Sequence, residues 1–273
     1  MSTTDIKRDY ADTPRGQIHY RRAGDGPPLL LLHQTANCSG SYEPLIPFLA
    51  PFYRVIAPDT PGFGMSDWPS HTGYTIADYA SCFVAFMRSL GIERASIFAH
   101  HTGASFACEM AAAHPEMVDK LVLNGTPYWA NAVEEFLNVV DRLDIKEDGS
   151  HLMEVWELIS GRLWPSFQKP LSREMLEALN NEVIWKLMSG ERFIEAYTAI
   201  SYYDVMSRLP MIQAPTLVMS GEDDILRDTV DPVAAKIRRA RTHVGAGGSY
   251  FMTYEDPEGL ARVILDFLAD PGV

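Results

Sequence analysis

The stretch Ala95-Ser-Ile-Phe-Ala-His100-His101-Thr-Gly-Ala104-Ser-Phe-Ala-Cys-Glu-Met-Ala-Ala-Ala113-His-Pro115 decides how this 273-residue chain reads. Ala95–His100 is short and apolar, which predicts a buried strand. Residues 103–113 are rich in small side chains and stop before Pro115, which predicts a helix that ends there. Only His101 and Thr102 separate the strand from the helix, so the chain turns there.

Outward from this turn the rhythm repeats. Residues 18–22 read as an edge strand, and 29–32, four leucines in a row, as a strand buried on both faces. Residues 42–50 read as helix, 54–58 as strand, 76–90 as helix and 120–124 as another buried strand. Near the C-terminal end follow a strand at 216–220, a helix near 230–239, a short strand at 242–244 and a helix at 257–268. Strands alternating with helices predict a mostly parallel sheet with crossover helices. From 126 to 209 the pattern is helical throughout, and that segment holds four of the five tryptophans, Trp129, Trp156, Trp164 and Trp185. An all-helical segment inside a sheet protein reads as an inserted cap, giving a core domain of 1–125 and 210–273 and a cap of 126–209. The strands should end near His33, Asp59, His100, Asn124 and Ser220, and in open α/β sheets ligands bind at that edge.

Composition narrows the partners. Apolar residues are 47% and charged residues 22%, ordinary for a globular protein. A net charge of −13 argues against nucleic acid, whose phosphates need a basic footprint, and disfavours anionic membrane surfaces. Residues 1–10 are polar and no apolar run approaches a membrane span, so neither secretory leader nor membrane anchor is expected. Cys38, Cys82 and Cys108 are odd in number and widely spaced, which fits reduced thiols and no metal-site spacing. The expectation is a soluble, cytoplasmic protein acting on a small molecule, with no nucleic-acid or membrane partner, no metal and no cofactor.

Five segments carry a resemblance. They are Leu31-Leu-His33-Gln-Thr35, Val55-Ile-Ala-Pro-Asp59-Thr-Pro-Gly-Phe-Gly64-Met-Ser66-Asp67, and Ala99-His100-His101-Thr102-Gly103-Ala104 with Ala113-His114-Pro115-Glu116. The last two are Pro215-Thr-Leu-Val-Met-Ser-Gly221-Glu-Asp-Asp224, and Gly247-Gly248-Ser249-Tyr250 followed by Glu255-Asp256-Pro257. In this order they resemble the α/β-hydrolase superfamily over nearly the whole chain. The resemblance implies an α/β-hydrolase fold in which the first segment supplies an oxyanion-hole amide. The third would be the nucleophile elbow, the fourth the strand ending in the triad acid, and the fifth the loop that delivers the triad histidine.

The family's elbow reads G-x-S-x-G. Here the middle position is His101, and Ser105 falls one helical turn further on. The acid position is kept by Asp224, with Asp223 as its nearest competitor. The position of the family's histidine falls on Tyr250, and His243 reads as a strand residue. The resemblance therefore implies that the acid survives while nucleophile and base are both replaced. On this reading Tyr250 links Asp224 to His101 by hydrogen bonds and fixes the imidazole tautomer. His101 becomes the general acid or base. Backbone amides of Thr35 and Thr102 form the oxyanion hole, one donor of which is typically worth ~3 kcal/mol. His33, Gln34, Cys38, His100, Asn124, Trp156 and Trp164 complete the candidate pocket.

Plainer readings stand beside these. His101 could mark a site that has lost catalysis, Tyr250 could pack under the cap with a wet hydroxyl, and Asp224 could cap the next element. His33 and His100 fit loop-holding hydrogen bonds, Cys38 an inert buried thiol, and Glu134, Glu135 and the other cap charges a solvated face. Three functions remain open: a cofactor-free acid–base enzyme, an ordinary ester or C–C hydrolase with an unrecognised nucleophile, and a non-catalytic ligand-binding derivative.

Overall fold

A computed structural model of the chain describes residues 4–128, 143–162, 171–246 and 248–272. The apolar runs form an eight-stranded sheet: β1 Lys7–Thr13, β2 Gly16–Ala23, β3 Pro28–Leu32, β4 Arg54–Pro58, β5 Ala95–His100, β6 Val118–Asn124, β7 Thr216–Gly221 and β8 Ala240–Gly245. Their spatial order is β1-β2-β4-β3-β5-β6-β7-β8. The β1–β2 and β2–β4 pairs are antiparallel, and every later pair is parallel.

Strand periodicity divides the apolar residues between two faces. Leu30 and Leu32 of β3, with Ile97 and Ala99 of β5, join one core together with α2 (Ile76–Ser89) and α3 (Thr102–Ala113). Leu29, Leu31 and Phe98 point the other way, into a second core with α1 (Ile46–Leu49) and the C-terminal helix, residues 257–269. Burial on both faces is why the central strands read as continuous apolar runs rather than alternating ones.

Every described element between β6 and β7 is helical. The longest are α4 (Ser150–Arg162), α5 (Arg173–Met188), α6 (Ile194–Ser201) and α7 (Val205–Arg208). Two polar ties fasten this segment to α3 and to the loop after β3. Arg208 grips the buried Glu109 of α3 through two charge-assisted hydrogen bonds of 2.8 and 2.9 Å, and the Tyr203 hydroxyl donates to the same carboxylate at 2.9 Å. The Tyr197 hydroxyl donates to the Thr35 carbonyl at 2.7 Å, fixing α6 against the loop that follows β3. After β7 come α8 (Val230–Ala234), α9 (Met252–Glu255) and α10 (Pro257–Ala269). Among the described residues no helix is long and apolar enough to cross a membrane.

Three expectations change. Residues 18–22 are not the edge: β1 pairs outside β2, and its single buried residue, Ala11, left no apolar alternation to read. Residues 42–50 do not form one helix, because Pro44 and Pro47 interrupt it and only the Ile46–Leu49 turn is α-helical. The helix near 230–239 ends at Ala234.

Candidate functional site

The elbow between β5 and α3 is the sharpest feature of the backbone. His101 has φ 48°, the one positive φ on a non-glycine residue among those described. That conformation costs on the order of 1–3 kcal/mol and persists only where surrounding structure imposes it. Here the imposition is visible: the His101 amide donates to the Asn124 carbonyl at 2.9 Å, and its own carbonyl accepts from Ala104 N at 2.7 Å. Gly103 is required because a Cβ there would lie 2.2 Å from the Leu32 carbonyl oxygen. The turn thus presents an imidazole where β5 ends.

Asp224, three residues past β7, meets that imidazole directly. The Nε2 of His101 lies 2.9 and 3.0 Å from the two carboxylate oxygens, and Leu226 N donates to Oδ1 at 2.8 Å. Burial pushes the Asp224 carboxyl up. The charge and hydrogen bond of His101, the nearby His100 and the Leu226 amide outweigh it and bring the carboxyl down to about 2. An ionised carboxylate only accepts hydrogen bonds, so the His101 nitrogen facing it carries the proton. Any ring lone pair is then on Nδ1, for which no hydrogen bond to a described residue is found. Gly125 makes room for the ring: a Cβ there would sit 2.5 Å from His101 Cδ2.

Tyr250 does not link the pair, which corrects the relay expected from the sequence. Its ring packs edge-on against His101, with centroids 5.2 Å apart, and its hydroxyl points away to Glu182 Oε2 at 3.3 Å. His101 already reaches Asp224 unaided, so a relay has nothing to bridge. Burial and the Glu182 charge hold the Tyr250 hydroxyl protonated, well above the ordinary phenol range.

Glu182 is the site residue that the sequence reading passed over. It lies on α5, is buried, and accepts from Asn37 Nδ2 and, at 3.4 Å, from Gln34 Nε2. Burial is the largest influence on its carboxyl. It outweighs the Tyr250 and Asn37 hydrogen bonds and the Lys186 charge and lifts it to about 8. Glu182 is therefore protonated at neutral pH. The expected solvated face of the cap charges fails at this residue and at Lys186, which is buried with its ammonium 3.6 Å over the Phe193 ring. The signal was present in phase: Met175, Ala178, Leu179 and Val183 form the buried stripe of α5, and positions 182 and 186 fall on it. Glu134 and Glu135 lie outside the described residues.

The other expected residues scatter. Thr35 N donates to Thr102 Oγ1 at 3.3 Å, so this amide is engaged by a hydroxyl at the elbow. Thr102 is the first residue of α3, where backbone amides lack intrahelical partners. His33 bridges Gln34 O and Thr60 N at 2.8 and 2.9 Å, holding two loops. Cys38 Sγ accepts from Gly40 N, and burial pushes its thiol far up, so it is not a nucleophile. Trp156 packs against the larger core rather than against His101. Trp164, like Trp129, lies outside the described residues. Ser105 is fully buried within α3, and among the described residues no serine hydroxyl is hydrogen-bonded to an imidazole.

His100 departs from expectation. It is fully buried, yet neither ring nitrogen finds a hydrogen-bond partner among the described residues. Burial, helped by the neighbouring His101, drives its pKa well below the ordinary imidazole range, so it is neutral. Gln34 Oε1, Asn124 Oδ1, Thr126 Oγ1 and Ser220 Oγ are likewise buried without partners. They cluster at or just past the carboxyl ends of β3, β6 and β7, next to that of β5. A concentration of unpaired polar atoms at one sheet edge marks a place suited to a polar ligand. His100, His101 and Asp224 also bring one metal-competent atom each within 4.8 Å of one another.

Comparison with known proteins agrees with this architecture. A family profile described as alpha/beta hydrolase fold matches residues 27–244. The 2-hydroxy-6-oxo-6-phenylhexa-2,4-dienoate hydrolase of Comamonas testosteroni is 29% identical, covering 92% of this chain and 91% of that one. Haloalkane dehalogenase 2 of Mycobacterium tuberculosis is 36% identical over 120 residues, which span 44% of this chain and only 42% of the dehalogenase. Among solved structures, the enol-lactonase of Burkholderia xenovorans LB400 superposes with a TM-score of 0.83 at 22% identity, covering 96% of this chain and all of that one. These relatives carry the names of hydrolytic enzymes. The chain is a member of the α/β-hydrolase fold family.

Proposed function

We propose that this protein is a cofactor-independent acid–base enzyme that uses His101, oriented by Asp224, in place of a serine nucleophile. Its substrate is a small to medium, largely apolar carbonyl compound or ester, cleaved by hydrolysis or by a lyase- or decarboxylase-type reaction. The observation that carries this reading is the direct contact between His101 Nε2 and the ionised Asp224, which leaves Nδ1 as the free base. Nδ1 takes a proton from a substrate O–H or C–H, or from water. Asp224 steadies the resulting imidazolium, and the same nitrogen returns the proton to the product. The amides of Thr35 and Thr102 receive developing negative charge on the carbonyl oxygen, the Thr102 hydroxyl yielding its 3.3 Å bond as the oxyanion forms.

The helical segment between β6 and β7 acts as the cap in this reading, and protonated Glu182 secures it. Through Gln34, Asn37 and Tyr250 that carboxyl holds α5 to the loop after β3 and to the tyrosine beside the base. The name of the Comamonas testosteroni relative's substrate describes an enol and a ketone on one chain with a phenyl group. An enolisable carbonyl compound of that kind suits a histidine base, and we take it as the first class to test. The serine-hydrolase alternative has little support, because Ser105 is buried in a helix without a base.

The test is a panel of esters and enolisable ketones scored by product identity, with the parent and His101→Ala compared. A general base contributes about 10²–10⁴-fold, so the variant should lose at least about 100-fold. Equal turnover by the variant would remove His101 from the mechanism. A serine-directed fluorophosphonate should leave the parent unlabelled.

A further inference from the structure

We propose that His100, His101 and Asp224 form a binding site for one divalent transition-metal ion of the Zn²⁺, Fe²⁺ or Co²⁺ class. Among the described residues this is the one cluster of three metal-competent side chains, and all three are buried.

Backbone geometry makes the cluster possible. In a continuing strand, successive residues point to opposite faces, and His100 and His101 would diverge. The positive φ at His101 breaks that alternation and brings the two rings together, with centroids 4.5 Å apart. Asp224 completes the set from the end of β7, already 2.9 Å from His101 Nε2. Ligands about 2.0–2.2 Å from an ion lie roughly 3–3.5 Å from each other, so a spread of at most 4.8 Å needs only small rotations to close.

The unpartnered His100 is the second, independent observation. A neutral imidazole carries one N–H and one lone pair, and burying both unpaired is unfavourable. Neither the sheet nor the His101–Asp224 contact offers it a partner. A metal ion accepts the lone pair, and the polar atoms along the edge leave room for its remaining ligands. Two imidazoles and one carboxylate select borderline transition ions over Ca²⁺ and Mg²⁺, which prefer all-oxygen shells.

Binding moves one proton within the His101 ring and releases none. The ion takes the lone pair of Nε2 once the hydrogen has shifted to Nδ1, so the ring stays neutral, while Asp224 and His100 bind in the forms they already have. The site then has two forms, a metal-free one with Nδ1 free as the base and a metal-loaded one with Nδ1 protonated.

The experiment uses the whole 273-residue chain stripped with a chelator and titrated with Co²⁺ and Zn²⁺, followed by Co²⁺ visible absorption, calorimetry and proton release. One ion per chain, no net proton release, and no comparable binding of Mg²⁺ or Ca²⁺ are expected. His100→Ala and Asp224→Asn should each weaken binding at least about tenfold. If His100→Ala does not fold, Asp224→Asn decides. No saturable binding, retention of it in a folded form of either variant, or equal binding of Mg²⁺ would overturn the proposal. Such a failure would leave the acid–base reading intact, because that reading describes the metal-free protein.

Discussion

Asp224 and Glu182 are both buried carboxyls, and both adjoin residues in contact with the Tyr250 ring or hydroxyl, yet they sit on opposite sides of neutrality. Burial raises each of them. Asp224 is brought down to about 2 because an imidazole and a backbone amide are aimed at it. Glu182 stays near 8 because the groups that hydrogen-bond it are two amide side chains and a phenol, all neutral, and these with the Lys186 charge do not outweigh burial. Desolvation is common to both sites, and the charge and direction of the partner decide the outcome. Two carboxyls pushed apart in this way assign themselves different tasks. One stays ionised against the His101 imidazole, and the other stays neutral and ties a helix to a loop.

The comparison breaks most visibly at Asp224. Asp224→Asn keeps the shape but presents an amide that hydrogen-bonds either imidazole tautomer, so Nδ1 is no longer reserved as the base. Activity should fall by about 10²–10⁴-fold, as loss of an orienting carboxylate does elsewhere. Steady-state rates on any substrate the parent turns over would show it.

At Glu182 the effect appears in stability. Folded Glu182 keeps its proton up to about pH 8, whereas the unfolded chain releases it near the ordinary carboxyl value, ~4.3. Between those values the folded state holds more protons, so this group's contribution is full below ~4.3 and is lost as pH rises towards 8. The loss is at most about 1.4 kcal/mol per pH unit, or roughly 3–6 °C in melting temperature. Glu182→Gln keeps the hydrogen bonds without the titration. Its melting temperature should fall less steeply than the parent's across that window, and parallel curves would contradict the assignment.

Gly125→Ala sharpens the Asp224 side. The added Cβ would press on His101 at 2.5 and 2.7 Å, and φ there is +62°. A destabilisation of about 1–3 kcal/mol with loss of activity is expected, read by denaturant melts and rates. Tyr250→Phe should do least. Its hydroxyl serves Glu182 rather than Asp224, so turnover should drop less than about tenfold. A drop of about 100-fold or more would restore the relay.

Much of this was legible in the residues. Four leucines at 29–32 and the small-residue helix after His101 place the sheet and the elbow, because double-sided burial and close backbone approach leave clear compositional marks. Asp224 was legible from its place after Gly221. What escaped had physical reasons. β1 buries one residue of seven, so it carries no periodic signal. The role of Tyr250 turned on which way a hydroxyl points, and spacing along a chain holds no such information. Glu182 was hidden by habit: a glutamate on a helix is usually solvated, and only its phase on the α5 stripe marked it as buried.

In the proposed site Asp224 fixes the proton of His101 on Nε2 and leaves Nδ1 free. This placement is tested most directly by ¹⁵N NMR of the His101 imidazole in chelator-treated protein, assigned through His101→Ala. A proton on Nε2 and an unprotonated, lone-pair Nδ1 are expected. A neutral ring with its proton on Nδ1, or a ring protonated at both nitrogens throughout the active pH range, would contradict it.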